Sequence, residues 1–307
     1  MRRLTKIVAL VIGASALCTS VALAVPRVRT VVLSVGQSLV VRCPGGRLSA
    51  KLAMRPFVVD CDPKLRSPTR TTAAAPGTGN PQLCSPQKAA WESTADTGYT
   101  WPDGYITYNN LWNDPNAPQT GPGSQLIYAC SDQDWGVVSE QPPVGQPANS
   151  VKTYPEVQDN VSSVPISSYR RLTSTFAETS PRVGDYEDAY DVWLNGIATS
   201  SSNEVMIWTR DHGQTPAGRA GPTVELGGRN WVVWSTGDHG YIAFVAKSYF
   251  HAGRVDLLAF FKWLISNGYI SKTSTVDQIN YGAEICGAGG GPEMFTFSGF
   301  HVVSARQ

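Results

Sequence analysis

Long apolar runs are rare in this sequence of 307 residues, and only 16% of the residues are charged. After residue 24, charges, Gly or Pro interrupt every apolar stretch before it reaches the roughly 20 residues that a membrane helix requires. No Cys-x-x-Cys pair is present, and the four His residues are scattered without the spacing of metal ligands. The sequence therefore predicts neither a transmembrane helix nor a metal site, and we expect no cofactor.

The N-terminus has the pattern of an export signal. A basic start (residues 1–6) precedes an apolar run (residues 7–17) and the small residues 22–24, which is the order found in secretory signal peptides. Cys18 raises the alternative of lipid attachment, but the bulky Leu17 before it disfavours lipoprotein processing. We predict that residues 1–24 are removed, and that the mature protein is secreted, extracellular, free of the membrane and monomeric.

Charge is distributed unevenly along the exported chain. Residues 25–71 contain nine Lys or Arg against two Asp, a net charge of +7, whereas residues 72–307 contain thirteen against twenty-two, a net charge of −9. The basic part either contacts anionic wall polymers or is simply a solvated basic surface. Because the larger part is acidic, it lacks the extended basic face that nucleic-acid binding requires, and we expect no nucleic-acid partner.

Composition divides the chain into segments. Residues 25–66 read as a small β-rich module, residues 67–82 have the Pro, Gly, Thr and Ala content of a linker, and residues 83–307 form the main domain. Recurrent short strand-like runs with turn signals between them indicate antiparallel β architecture. One exception predicts a single packed helix, because apolar residues recur at three- and four-residue spacing from Val255 to Ile265 before Asn267 and Gly268. The strand-like runs of the main domain are residues 105–108, 126–128, 190–194, 205–208, 231–234 and 241–245.

Five Cys residues remain after the leader, and export permits disulfide bonds. Proximity in the sequence suggests that Cys43 pairs with Cys61 and Cys84 with Cys130, which leaves Cys286 as the odd cysteine of the five. Cys286 is then either a buried small apolar residue, the alternative we favour, or a reactive thiol.

Paired carboxylates are the residues that point most directly to chemistry. Retaining glycoside cleavage needs two of them, one to attack the anomeric carbon and one to protonate the leaving oxygen. In residues 202–208 (SNEVMIW), strand alternation places Glu204, Met206 and Trp208 on one face, although a Glu at a strand end is more often merely solvated. In residues 185–195, Asp191 and Trp193 share a face. If the two strands pair antiparallel, Asp191 joins Glu204 only when the paired residue numbers sum to an odd value.

A third acid lies near the C-terminus. Residues 281–291 (YGAEICGAGGG) place Glu284 in a strand that runs into a Gly-rich turn. The glycines there either admit a substrate closely or are flexible loop residues.

Six motifs occur in an order that resembles glycoside hydrolase family 12 from about Cys84 to the end of the chain. Each motif is weak alone, but the six in order are specific. They are residues 108–112 (YNNLW), 151–155 (VKTYP), 189–194 (AYDVWL), 204–208 (EVMIW), the helix around residues 260–261 (FF), and 282–284 (GAE).

This resemblance implies an all-β jelly-roll sandwich of two curved antiparallel sheets with one packed helix, preceded here by the small β-rich N-terminal module. It implies an endo-β-1,4-glucanase that hydrolyses β-glucan with retention. Glu204 corresponds to the nucleophile, Glu284 to the acid/base and Asp191 to the carboxylate that orients the nucleophile. The early disulfide of the family matches Cys84 with Cys130, and the implied sugar-binding residues are Asn110, Trp112, Trp193, Met206 and Trp208.

The sequence departs from the family pattern at two places. Asn113 stands where Gly is common, and Ile285 and Cys286 replace a proline and an aromatic residue, so the leaving-group side of the cleft is altered. Cellulose, mixed-linkage glucan and xyloglucan are all candidate substrates, and a xyloglucan-specific enzyme is an alternative. A noncatalytic glycan-binding jelly roll is a second alternative, but it would need none of the three acids.

Overall fold

A computed structural model describes residues 83–142 and 151–307, together with the backbone of four strands nearer the N-terminus. The chain divides into two units, Met1–Pro76 and Gly77–Gln307. In the first unit β1 pairs with β4 and β2 with β3, both antiparallel. The predicted leader, linker and Cys43–Cys61 bond lie outside the described residues. The four strands are β1 (Val28–Val31), β2 (Ser38–Cys43), β3 (Gly46–Lys51) and β4 (Phe57–Asp60).

The second unit is a β-sandwich with one helix, α1 (Leu257–Ser266). Every strand-like run predicted for it coincides with a strand, and the predicted helix is confirmed. No helix in residues 83–142 and 151–307 has the length and apolar character needed to span a bilayer. The strands are β5 (Trp91–Ser93), β6 (Gly98–Thr100), β7 (Ile106–Tyr108), β8 (Gln125–Ser131), β9 (Asp134–Ser139), β10 (Glu156–Pro165), β11 (Tyr169–Thr179), β12 (Asp185–Leu194), β13 (Asn203–His212), β14 (Arg219–Leu226), β15 (Arg229–Ser235), β16 (Tyr241–Ala246), β17 (Ala252–Val255), β18 (Thr275–Gly287) and β19 (Glu293–Arg306).

These strands form two sheets. The larger has nine strands in the order β14-β15-β16-β13-β12-β18-β10-β7-β6, and the smaller has six in the order β17-β11-β19-β9-β8-β5. The described strand pairs are antiparallel as predicted, except that β13 and β16 run parallel. Strands β14 and β16 are both antiparallel to β15, so they run in the same direction as β13. The connection from β13 to β14 therefore crosses to the edge of the sheet without reversing the strand direction.

Strand alternation separates a core face from a second face on the nine-stranded sheet. On β12, Tyr186, Tyr190, Val192 and Leu194 are fully buried. Rings from the six-stranded sheet pack directly on this face, since Phe295 and Phe176 lie edge-on to Tyr186 and Tyr190 at centroid distances of 5.0 and 5.8 Å. The intervening residues of β12 therefore point away from the core, and they include Glu187 and Asp191.

The helix packs on the core side of the nine-stranded sheet. Phe260 lies edge-on to Trp231 of β15 and Phe244 of β16, at centroid distances of 5.1 and 4.9 Å. Asp256 caps its first turn by accepting a hydrogen bond from the Ala259 backbone N–H at 3.2 Å. Gly268, at a φ of 76°, follows the last turn and adopts the left-handed conformation that glycine accepts without strain.

The predicted bond between Cys84 and Cys130 is confirmed, with a Cα–Cα distance of 5.7 Å. It ties the start of the described chain to β8 of the six-stranded sheet.

Candidate active site

The pairing of β12 with β13 brings two of the predicted acids onto one face of the sheet. Trp193 is the register partner of Glu204, and Asp191 is the partner of Met206. The residue numbers of both pairs have the odd sum that places Asp191 and Glu204 on one face. Because directly paired residues of antiparallel strands project to the same side, Asp191 and Glu204 both lie on the face turned away from the core.

The pairing of β12 with β18 adds the third acid to that face. Asp191 is the partner of Asn280, and Glu187 is the partner of Glu284. Strand β12 therefore separates Glu204 on β13 from Glu284 on β18, with Asp191 between them. The three predicted acids project from three adjacent strands of the nine-stranded sheet.

Glu204 and Glu284 lie close enough to affect each other's ionisation. Burial raises the pKa of Glu204 to about 8, and the neighbouring charge of Glu284 also raises it. Burial likewise raises the pKa of Glu284, and a hydrogen bond from Glu187 lowers it in part. Like charges that share a low-dielectric site do not both ionise readily. The pair can therefore present one ionised and one protonated carboxyl, which is what an acid-assisted displacement needs.

Asp191 is 5% exposed and has a pKa well above its usual range. Burial is the largest cause, followed by the charges of Glu204, Glu156 and Glu284, while a hydrogen bond with Trp193 acts in the opposite direction. Among the described residues, its Oδ1 meets no hydrogen-bond partner. That oxygen is consequently available to a group that enters the site or to a reoriented Glu204.

An apolar cluster adjoins the acids on the same face. Met206 and Trp208 are buried, with Ala189 and Ala243, and the partly buried Trp234, Tyr241 and Val245 pack against them. The Trp208 indole N–H donates to the Met206 sulfur at 3.4 Å. Met206 and Trp208, both predicted to bind sugar, thus form the floor beside Glu204, whereas Trp193 is half-buried and presents part of its ring.

The loop after β7 carries the other two predicted sugar-binding residues. Asn110 adopts a φ of 27° and donates its side-chain N–H to Glu156 Oε1 at 3.0 Å. Trp112 is 50% exposed. Since Glu156 is the register partner of Gly282, two residues before Glu284, this loop stands beside the acids on the β10 side. An exposed indole offers a flat apolar surface to a ring of matching shape.

Several residues of this face were not predicted. Glu156 is buried, with a pKa raised to about 8 by burial, and Tyr241 has a pKa raised well above its usual range by burial and then by Glu284. Glu187 is also buried, opposite Glu284. A signal for Glu187 was present in the alternation from Asp191, four residues away. None existed for Glu156, whose face depends on a pairing between distant strands.

The departures after Glu284 have a structural explanation. Ile285 points into the core and exchanges backbone hydrogen bonds with residues 152 and 153, since Lys152 N donates to Ile285 O at 3.0 Å and Ile285 N donates to Thr153 O at 2.9 Å. Cys286 is fully buried, which confirms the prediction, and accepts a hydrogen bond from the Gln214 side chain. Burial raises the pKa of its thiol to about 12, which disfavours the reactive thiolate at neutral pH.

Metal chemistry has no candidate donor set in the described residues, where no group of three or more His, Cys, Asp or Glu side chains is placed to hold an ion. What the face does provide is a row of buried carboxyls beside aromatic side chains. Such a row can donate a proton, accept one and attack an electrophilic carbon.

Several known proteins are similar to this chain in sequence or in structure. Endoglucanase S from Pectobacterium parmentieri is 25% identical over 226 residues, which cover 66% of this chain and 83% of that protein. Xyloglucan-specific endo-beta-1,4-glucanase A from Emericella nidulans is 28% identical over 199 residues, which cover 59% of this chain and 78% of that protein. The xyloglucanase domain of NopAA from Sinorhizobium fredii, solved in complex with cellobiose, has a TM-score of 0.59 at 28% identity and covers 71% of this chain and 100% of its own.

The model of glycosyl hydrolase family 12 matches residues 103–303. These residues include Glu204, Glu284 and Asp191, as well as the central strands of both sheets. Since the match covers most of the chain and contains the face on which these acids meet, the chain belongs to glycosyl hydrolase family 12.

Proposed function

We propose that this chain is a secreted endo-β-1,4-glucanase that hydrolyses internal bonds of β-glucans with net retention. The observation that carries the proposal is the placement of Glu204 and Glu284 on one face of the sheet, where each lies within reach of the other's charge. Asp191 between them supports the same assignment. We assign catalysis to residues 83–307 and export to residues 1–24.

In the first step, a carboxylate oxygen of Glu204 attacks the anomeric carbon while Glu284 gives its proton to the leaving oxygen. The glycosidic bond breaks and a covalent glycosyl-enzyme forms. In the second step, the Glu284 carboxylate removes a proton from water as the water oxygen attacks the same carbon. The bond to Glu204 breaks as the bond to the water oxygen forms, and both carboxyls regain their starting states with the anomeric configuration retained.

Asp191 and the aromatic residues have supporting roles in this proposal. Asp191 orients Glu204. Because the charge of Glu204 raises the pKa of Asp191, Asp191 tends to stay protonated while Glu204 is ionised. Trp112 and Trp193 offer ring faces to the apolar C–H surfaces of glucose units, and the Asn110 amide carbonyl can accept from a sugar hydroxyl. Met206 and Trp208 form the floor under the reacting sugar.

Among the candidate substrates, xyloglucan has support from the names of similar proteins, which include a xyloglucan-specific glucanase and a xyloglucanase domain. A panel of carboxymethylcellulose, mixed-linkage glucan and xyloglucan, assayed by release of reducing ends, separates the candidates. Replacing Glu204 or Glu284 by Gln should lower kcat roughly 10²-fold or more on every polymer of the panel. Near-normal turnover in either variant, with unaltered folding, would contradict the catalytic assignment of that residue. No turnover by the wild-type protein on any polymer of the panel would leave only a noncatalytic glycan-binding role.

Stereochemistry gives a second test. Proton NMR of the earliest products should show the β-anomer before mutarotation. An initial α-anomer would require an inverting enzyme, whose carboxyls are roughly 6.5 to 9.5 Å apart to admit a water molecule between them.

A further inference from the structure

A row of three carboxyl groups crosses the nine-stranded sheet on the active-site face. Glu284 on β18 is the register partner of Glu187 on β12, and Glu187 is in turn the partner of Asp211 on β13. The Cβ atoms of directly opposed residues lie about 5 Å apart. Glu187 therefore stands beside the proposed acid/base, yet the double displacement gives it no step.

Glu187 is 1% exposed and lies directly opposite Glu284. Burial raises its pKa, and the charge of Glu284 and a hydrogen bond with that carboxyl raise it further. The Oε2 of Glu187 has no partner among the described residues. Two ionised carboxylates cannot form such a hydrogen bond, because neither has a proton to donate. One of the two must carry a proton, and deeper burial favours the neutral form at Glu187 over that at Glu284, whose residue is partly exposed.

The groups that face Glu187 reinforce this state. Glu284 and Cys286 approach it from β18, Asp211 from β13, and Tyr241 from β16. The Tyr249 hydroxyl in turn donates to Asp211 at 2.5 Å. All of these groups are acidic or neutral, so each disfavours or leaves unchanged a negative charge on Glu187.

We propose that Glu187 is a positioning residue for Glu284, to whose carboxylate it donates a hydrogen bond while remaining neutral itself. The inference rests on the proposed assignment of Glu284 as the acid/base. When Glu284 passes its proton to the leaving oxygen, Glu187 keeps its own proton and directs its O–H toward the new carboxylate. When Glu284 takes a proton from the attacking water, the same O–H returns to its starting contact. No proton leaves or enters Glu187 during turnover.

The contact with Glu187 stabilises the ionised form of Glu284, which burial disfavours. A buried carboxyl resists ionisation, which suits the acid in the first step but opposes the carboxylate required in the second. A neutral donor beside Glu284 stabilises the carboxylate without adding charge. Removing the donor should consequently raise the pKa of Glu284 and slow the attack of water on the glycosyl-enzyme.

The test compares Glu187→Leu, which removes the donor, with Glu187→Gln, whose neutral amide N–H retains it. The Leu variant should shift the alkaline limb of kcat/KM on soluble β-glucan upward by about one pH unit. On an aryl cellobioside whose leaving group needs no protonation, its kcat should fall roughly 10-fold, because water attack then limits turnover. The Gln variant should keep the limb in place and kcat within about threefold.

Matched controls are Glu225→Leu and Glu225→Gln, since Glu225 is an exposed carboxyl on β14 of the same sheet. Both should leave the pH profile unchanged. If both Glu187 variants lose kcat equally, and the alkaline limb of kcat/KM stays at its wild-type pH, the inference is overturned and Glu187 has only a packing role. A downward shift of the limb in Glu187→Gln would also overturn it, because that shift would mean that Glu187 carries a charge.

A measurement on folded protein decides the matter if Glu187→Leu does not fold. The infrared difference spectrum of wild type minus Glu187→Gln at neutral pH should contain the carbonyl band of a protonated carboxyl. A carboxylate band in its place contradicts the inference. Glu284→Gln separates this failure from that of the proposed function, because full activity in that variant would remove Glu284 from the mechanism, whatever Glu187 does.

Discussion

At the scale of single residues, burial governs the carboxyl groups of the site more than any ion pair does. It is the largest cause of the raised pKa values of Glu156, Glu187, Asp191, Glu204 and Glu284. A cluster of this kind retains protons at pH values where exposed carboxyls have lost them. Activity and stability should therefore share a pH dependence that arises from the same face of the protein.

Glu156 gives the clearest residue-scale prediction about stability. Its pKa is raised from 4.5 to about 8, chiefly by burial. A folded-state pKa above the unfolded value means that stability is full below about 4.5 and is lost as the pH rises through about 8. Glu156→Gln is neutral at every pH. The difference in free energy of unfolding between this variant and wild type should therefore shift in favour of the variant as the pH rises from about 4.5 to about 8, by an amount on the order of a few kcal/mol.

Chemical denaturation of both proteins at several pH values checks this expectation. Glu225→Gln serves as the control, because an exposed carboxyl should produce no such trend. A difference between wild type and Glu156→Gln that stays constant with pH would show that Glu156 ionises as freely in the folded state as in the unfolded chain.

At the scale of elements, α1 supports the strands that bear the aromatic side of the site. Phe260 packs on Trp231 of β15 and Phe244 of β16. On the opposite face of the sheet, Trp234 of β15 and Tyr241 of β16 pack against the apolar cluster that adjoins the acids. The helix thus packs on the core side of the two strands whose opposite side carries these two rings.

Replacing Phe260 by Ala should lower the free energy of unfolding by about 3 to 5 kcal/mol, because the side chain is 1% exposed and leaves a cavity between helix and sheet. The matched control is Lys262→Ala, an exposed position in the same helix, which should change stability by less than about 0.5 kcal/mol. Equal effects in urea unfolding experiments would show that the helix contributes little to the core.

Some elements were predictable from the sequence because their residues are locally consistent. Strands β12, β13, β15 and β16 have dense aromatic and β-branched residues, and the helix has an apolar stripe with a stop signal after it. Strand β10 was missed because its second half is polar and irregular. Its register shifts between Asn160 and Val164, where Ser162 and Ser163 adopt positive φ. Strand β14 was missed because most of its residues are exposed.

The site, too, was predictable only where alternation within a single strand determines which side chains share a face. The alternation within β12 and β13 predicted which of their side chains share a face, and only the register between them was open. The pairing of β12 with β18, and of β18 with β10, joins segments far apart in the chain, and no local pattern specifies such partners. For this reason Glu156 emerged only from the structure. Alternation along β12 indicated the face of Glu187, but its position opposite Glu284 required the pairing of β12 with β18.

At the scale of the whole molecule, the site residues all lie in the unit Gly77–Gln307. The basic residues 25–71 belong to the other unit. We therefore expect a chain of residues 83–307 to match a chain of residues 25–307 on soluble β-glucan within about twofold in kcat/KM. Loss of activity in the shorter chain, with its fold intact by circular dichroism, would assign a catalytic contribution to the N-terminal residues.

The central claim is that Glu204 attacks the anomeric carbon and becomes covalently glycosylated. A 2-deoxy-2-fluoro β-cellobioside with an activated leaving group traps such an intermediate, because the fluorine slows its hydrolysis more than its formation. Mass spectrometry of the intact protein and of its peptides should find one fluorocellobiosyl group, attached at Glu204 and absent from Glu204→Gln. Attachment at Asp191, Glu187 or Glu284, or inhibition without any covalent adduct, would contradict the account.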